Sequence, residues 1–316
     1  MTTTMTATGE REHREPALAG WDRLPPEYAI PETAPRLPEA QEYCQRLARA
    51  HYENFSVASW FLPGKLRQHF FNVYSYCRIS DDLGDEVGDS VASLRLLDEW
   101  EVELNACYEG SARHPVFVAL AETVRRFEIP KHEFSDLLTA FRQDQTTPRY
   151  EGFVDVLGYC RNSANPVGHL VLYLCGYNDA ERQLLSDYTC TALQLANFWQ
   201  DVSVDYLKDR IYLPLEDMRR FGVSEESIRN SENTPAFREM MKFEVQRARE
   251  WFAQGLPLVK KVNRELAIDL DLFSRGGLEV LNAIERQEYA VLGRRPSISK
   301  ARKLALVARA ALGKLV

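Results

Sequence analysis

Leu193-Gln194-Leu195-Ala196-Asn197-Phe198-Trp199-Gln200-Asp201-Val202-Ser203-Val204-Asp205 is the stretch on which the fold turns. Asn197, Asp201 and Asp205 recur every fourth residue, so on an α-helix they form one polar stripe. Around them Leu193, Leu195, Ala196, Phe198, Trp199 and Val202 are apolar and suit a buried helix. Gln194 and Gln200 flank the stripe. Oxygen donors on an otherwise buried helix cost free energy unless something satisfies them. The stretch therefore reads as a core helix that carries a ligand set.

A second acidic cluster lies about 115 residues upstream, in Arg78-Ile79-Ser80-Asp81-Asp82-Leu83-Gly84-Asp85-Glu86. It follows the apolar run Phe70-Phe71-Asn72-Val73-Tyr74-Ser75-Tyr76-Cys77. Asp81 and Asp85 share a helical face, with Tyr74 and Arg78 near the same stripe. Like charges at that spacing repel, so the helix must be solvated there or must bridge a cation. One such cluster alone is ordinarily a solvated helix end. Two together, the second flanked by apolar residues, point to chemistry. All the donors are hard oxygens, with no thiolate or imidazole at comparable spacing, which suits Mg²⁺ held jointly by carboxylates and substrate phosphates. Two facing acidic helices would then clamp a diphosphate and neutralise it as an allylic C–O bond ionises.

Helical spacing dominates outside these clusters, and strand-like alternation is nearly absent. Helices are expected at roughly 39–52, 66–84, 91–109, 115–127, 131–144, 151–176, 179–205, 234–254, 257–273, 276–291 and 297–314. Asp179 and Pro115 read as helix starts, Gly110 and Gly255 as stops, and Pro166 as a kink within 151–176. The expected fold is all-α: one domain over 38–293, a helical bundle around an apolar cavity. The Pro- and Thr-rich residues 1–37 read as a flexible arm. Residues 294–316 carry Arg294, Arg295, Lys300, Arg302, Lys303, Arg309 and Lys314 and no acid, with Leu304, Val307, Ala311 and Leu315 at helical spacing. That is a basic amphipathic helix, which either packs on the domain or lies on anionic lipid through residues 296–316.

Composition narrows the function. The 316 residues have a net charge of −7, which argues against a general nucleic-acid binder. The six cysteines are scattered, without a Cys-x-x-Cys pair, and read as buried free thiols. No apolar run approaches the roughly 20 residues of a membrane span, and no secretory signal is evident. The expectation is a cytoplasmic protein, with peripheral contact at the inner membrane surface left open.

These motifs resemble the squalene and phytoene synthases, the head-to-head prenyl synthases, over about residues 45–290. Tyr74-x-x-x-Arg78-x-x-Asp81-Asp82-x-x-Asp85 is similar to the first family motif. Gln194-x-x-Asn197-x-x-x-Asp201-x-x-x-Asp205, followed by Arg210-Ile211-Tyr212-Leu213-Pro214, is similar to the second. His51-Tyr52-Glu53-Asn54-Phe55-Ser56-Val57-Ala58-Ser59 resembles the diphosphate-binding start, and Tyr159-Cys160 through Ala164-Asn165-Pro166-Val167-Gly168 the central helix break. There are departures. Phytoene and dehydrosqualene synthases usually carry Arg where Gln200 stands, Glu where Val204 stands, and Ala-Gly-x-Val-Gly at the break. The combination found here resembles the bacterial hydroxysqualene synthases of hopanoid pathways, which implies presqualene diphosphate as substrate and water as the group that captures the rearranged cation.

The resemblance implies these roles. Asp81, Asp85, Asn197, Asp201 and Asp205 hold Mg²⁺, with Asp82 assisting. His51, Asn54, Arg78 and Gln194 touch diphosphate or its water. Tyr74 stabilises the cation or steers the leaving group, and Arg210 and Tyr212 cap the site. Tyr74, Asp81, Asp85 and Asp201 are the catalytic candidates. For His51 the competing reading is a surface residue; for Arg78 it is a plain ion pair with Asp82. Of Phe55, Trp60, Phe70, Phe71, Phe141, Phe198, Trp199 and Tyr289, some are expected to line the prenyl pocket and the rest to be core. Two alternatives stand: a squalene, dehydrosqualene or phytoene synthase that condenses two farnesyl or geranylgeranyl diphosphates, and a non-catalytic helical scaffold of the same fold.

Overall fold

Asp179 opens the longest helix among the described residues. Its carboxylate accepts a hydrogen bond from the Arg182 amide at 3.1 Å, which satisfies one of the free donors of the first turn. The helix then runs to Leu207. The same logic sets other boundaries. Pro115 occupies the first turn of its helix behind His114. Gly110 ends another in the left-handed conformation, with φ of 80°.

The computed structural model describes residues 20–50 and 64–315, with side chains described through residue 309. In chain order the α-helices are α1 (Leu37–Ala50), α2 (Arg67–Asp85), α3 (Ser90–Glu109), α4 (Pro115–Phe127), α5 (His132–Asp144), α6 (Phe153–Ser163), α7 (Asn165–Leu174), α8 (Ala180–Leu207), α9 (Leu215–Phe221), α10 (Glu225–Arg229), α11 (Pro235–Gly255), α12 (Arg264–Arg286) and α13 (Lys300–Leu315). Among the described residues the only β-type pairing is an isolated bridge between Arg149 and Ile211. The fold is all-α, as expected.

Two apolar clusters hold it together. One joins α1 to α5, with Trp100, Tyr76, Phe117 and Phe134 fully buried. The other surrounds α8, which packs on α7, α11 and α12, with Trp199, Phe237 and Phe252 at its centre. A buried polar link crosses the bundle. His169 on α7 lies between Glu133 of α5 at 3.0 Å and Asp187 of α8 at 2.7 Å, and the two carboxylates hold its imidazole up at about 9 against the cost of burial.

The expected kink at Pro166 is present as a break: α6 ends at Ser163 and α7 begins at Asn165, so the proline sits in a first turn, where its missing N–H costs nothing. Other expectations need correction. The helices expected at roughly 257–273 and 276–291 are one continuous α12, preceded by a short 3₁₀ turn over Leu256–Lys260. Gly276-Gly277 does not stop the helix. Gly277 allows close packing, since a Cβ there would lie 2.4 Å from Phe252 Cζ and 2.8 Å from Leu193 Cδ2. The short helices α9 and α10 were not expected, being too brief to show a period.

The arm read as 1–37 is not loose in its second half. Trp21, Leu24 and Tyr28 are buried on the body, and the Tyr28 hydroxyl donates to Asp82 Oδ2 at 2.8 Å. Residues 1–19 lie outside the described residues. All six cysteines are free. Among the described residues no helix is long and apolar enough to cross a membrane.

Candidate functional site

The C-terminal end of α2 and the C-terminal end of α8 meet, and two cations join them. Asp85, on the last turn of α2, accepts from Lys208 Nζ at 2.7 Å and from Arg210 Nη1 at 2.8 Å. Both cations follow directly after the acidic stripe of α8. Their loop is pinned: the Ile211 amide donates to the Pro148 carbonyl, the Arg210 amide donates to the Asp205 carbonyl, and Arg149 ties Asp209 to Glu225. Asp209 takes a positive φ of 56° to make the turn.

The electrostatics follow from this crowding. Burial and repulsion from Asp201 push Asp205 up to about 7. Burial and repulsion from Asp85 push Asp81 up to about 6, although its side chain keeps half its surface in solvent. Burial opposes charge on Asp85 too, but Lys208 and Arg210 outweigh it and hold the carboxyl below the usual range. Thus some carboxylates here carry protons near neutrality, and others are neutralised by cations. A wall of this kind gains from an added divalent cation.

Asp144, at the end of α5, belongs to the same wall. Its two oxygens accept from Tyr159 Oη at 2.7 Å and Tyr212 Oη at 2.9 Å, and burial raises it to about 6 while Arg210 pulls the other way. Tyr212 stacks on Phe198, with ring centroids 3.8 Å apart and planes 9° from parallel. Tyr212 thus links Asp144 to α8.

The remaining site candidates separate. Asp201 is buried, and both its oxygens are taken by Arg295, through Nε and through Nη2 at 2.9 Å. Asn197 is exposed and does not join the carboxylates. It faces an apolar groove of about 420 Å³ between α8, α12 and α13, beside Leu193, Gln200 and Phe273. Gln194 is half-buried, as is Tyr74, which packs against the first core cluster. Arg78 pairs with Asp82 through Nε at 3.0 Å and through Nη2, and Asp82 also accepts from the Tyr28 hydroxyl. His51 and Asn54, like Phe55 and Trp60, lie outside the described residues. Of the other aromatics named for the pocket, Phe70, Phe71, Phe198 and Trp199 are core.

Sequence reasoning missed Asp144, Lys208 and Arg295 as members of the site. Asp144 stands alone in Arg142-Gln143-Asp144, and Arg295 was read only as part of a basic tail; neither position carries a local signal. Among the described residues no three His, Cys, Asp or Glu side chains converge closely enough to hold a metal by themselves. The residues fit a metal in a different sense. The donors are all oxygen, they sit on two elements, and a cation bound there would need oxygens from a phosphate to complete its shell.

The squalene/phytoene synthase family model matches residues 48–302. A 15-cis-phytoene synthase of Synechocystis is 29% identical over 278 residues, covering 84% of this chain and 82% of that one. Among solved structures, squalene synthase HpnC from Alicyclobacillus acidocaldarius is similar with a TM-score of 0.76 and 43% identity, covering 85% of this chain and 98% of that one. A ligand-bound dehydrosqualene synthase is similar with a TM-score of 0.78 and 26% identity, covering 87% and 96%. With its all-α isoprenoid-synthase fold and both acidic motifs in place, the chain belongs to the squalene/phytoene synthase family, whose members are synthases acting on prenyl diphosphates.

Proposed function

We propose that the protein ionises presqualene diphosphate in a Mg²⁺-dependent reaction and lets water capture the rearranged cation, giving hydroxysqualene. The observation that carries the reading is the meeting of the two acidic helix ends across Lys208 and Arg210. Asp81, Asp85, Asp201 and Asp205 would hold the metal, which when bound supplies Lewis-acid neutralisation of the diphosphate. Lys208 and Arg210 would release Asp85 and turn to the diphosphate oxygens. The C–O bond breaks with its electron pair going to diphosphate. A water oxygen then bonds to the cation and loses a proton. The Leu193–Phe273 groove offers apolar walls for the chain of the substrate.

Two features support water capture of a preformed presqualene unit, and a third supports its chain length. Gln200 and Val204 remove a cation and a carboxylate that phytoene and dehydrosqualene synthases usually carry, and one ionisation needs fewer phosphate contacts than a coupling of two diphosphates. The Asn165-Pro166 break replaces the usual glycine at the kink. The 43% identity to a squalene synthase favours a thirty-carbon product. The 29% identity to a phytoene synthase favours the second reading, condensation of two prenyl diphosphates. Incubation with presqualene diphosphate and Mg²⁺ in ¹⁸O-water, without reductant, separates the two. Hydroxysqualene carrying ¹⁸O is the expected product; phytoene from geranylgeranyl diphosphate, with presqualene diphosphate untouched, would overturn the assignment. We also propose peripheral membrane contact through residues 296–316, where Leu304 is 70% exposed beside Lys300 and Lys303.

A further inference from the structure

The segment between α12 and α13 crosses the acidic end of α8 and is fastened to it at three positions. The Gly293 amide donates to Ser203 Oγ at 3.2 Å. Gln200 Nε2 donates to the Pro296 carbonyl at 2.6 Å, and Gln200 Oε1 accepts from Arg295 Nη2 at 3.1 Å. Arg295 then forms a two-pronged pair with Asp201. Upstream, Asn233 accepts from the Leu292 amide and donates to its carbonyl. Downstream, α13 lies along α12, with Ile298, Leu306 and Val307 closing one side of the groove beside Asn197. A charge-assisted fork on a buried carboxylate is the strongest of these contacts.

We propose that residues 293–297 are a strap latched by Arg295, and that a metal–diphosphate complex opens the latch by competing for Asp201. The inference rests on the metal-dependent reading above. Each oxygen of Asp201 accepts an N–H from one guanidinium, so a divalent ion approaching there must compete with Arg295 for the same carboxylate. Half of the Arg295 side chain is in solvent, which gives it room to move. Gln200 is the keeper of the latch. It holds the strap by a backbone carbonyl and Arg295 by its own oxygen, with no charge to repel the guanidinium. Opening the latch removes the fork and loosens the attachment of α13, which forms one wall of the groove. Binding at the acidic wall and access to the apolar groove are thereby coupled.

The test is hydrogen exchange on the full-length protein with Mg²⁺ and inorganic pyrophosphate, alongside calorimetric binding of the same ligands. Amides within 293–309 should exchange faster, on the order of tenfold, when both ligands are present. Arg295→Gln should show the fast exchange without ligand and little further change on adding it. Gln200→Ala should lie between, since it keeps the fork and loses the carbonyl anchor. If calorimetry shows pyrophosphate binding while 293–309 stay as protected as before, the latch is wrong and the metal reading survives. If wild-type protein binds no pyrophosphate with Mg²⁺, the metal reading fails and the latch with it. Slow exchange of 293–309 in ligand-free Arg295→Gln would also overturn the proposal, because the fork would then not hold the strap.

Discussion

Arg210→Met removes the cation shared by the two acidic helix ends while keeping much of the side-chain bulk. Arg210 is 13% exposed at its side chain and Asp85 24%, with a separation of 2.8 Å. A hydrogen bond to a charged group in such a setting contributes on the order of 1.5–3 kcal/mol. Lys208 remains on Asp85 at 2.7 Å, and the two tyrosine hydroxyls remain on Asp144, so the lower half of that range applies, about 2 kcal/mol. For a chain of this size that lowers the melting midpoint by roughly 3 °C. The loss should depend on pH. Asp144 sits at about 6 and Asp205 at about 7, so both are largely ionised at pH 8 and largely protonated at pH 5. Without Arg210 their repulsion is felt at pH 8 and relieved at pH 5. Scanning calorimetry of wild type and variant at both values, free of divalent ions, is the assay. A loss at pH 8 that shrinks by half or more at pH 5 is expected. The same loss at both values would show that Arg210 acts as packing and would refute its role as counter-ion to the wall.

Mg²⁺ affinity in the presence of pyrophosphate should weaken by roughly fiftyfold as pH falls from 6 to 5, because Asp81 at about 6 and Asp205 at about 7 both take up protons that the metal must displace; calorimetry showing flat affinity over that window would remove those carboxylates from the site. Gly277→Ala should cost about 1 kcal/mol net, since crowding of Phe252 and Leu193 outweighs the better helix propensity of alanine. An unchanged melting midpoint there would mean that Phe252 swings aside freely. Full-length protein should sediment with anionic liposomes more than a chain lacking residues 296–316; equal sedimentation would end the membrane proposal.

Much of the fold was legible because its signals are local. Asp179 and Pro115 mark helix starts by backbone chemistry, Gly110 marks a stop, and Pro166 marks the break, each within one helical turn. The polar stripe of α8 was legible because its neighbours are apolar. Residues joined over long distances in sequence were not legible. Tyr28 reaches Asp82 from a proline-rich segment whose composition suggests an arm, and its two buried neighbours Trp21 and Leu24 are too sparse to form a period. Asp144 and Arg295 enter the site from other elements: Asp144 meets Tyr212 from 68 residues away, and Arg295 meets Asp201 from 94 residues away. The continuity of 257–273 with 276–291 was not legible, because the glycine pair Gly276-Gly277 carries no record of the Phe252 ring that needs the space. Asn197 shares the spacing of Asp201 and Asp205, yet it faces the groove; spacing fixes a helix face approximately and does not say what that face meets.

The central claim is that both acidic helix ends serve one divalent-ion and diphosphate site. Calorimetric titration of inorganic pyrophosphate with Mg²⁺ into wild type, Asp85→Asn and Asp205→Asn tests it most directly, with thermal melts confirming that each variant is folded. Metal-dependent binding in the wild type and its loss in both variants is the expected result. Binding that survives unchanged in either folded variant, or that needs no metal, would contradict a shared site.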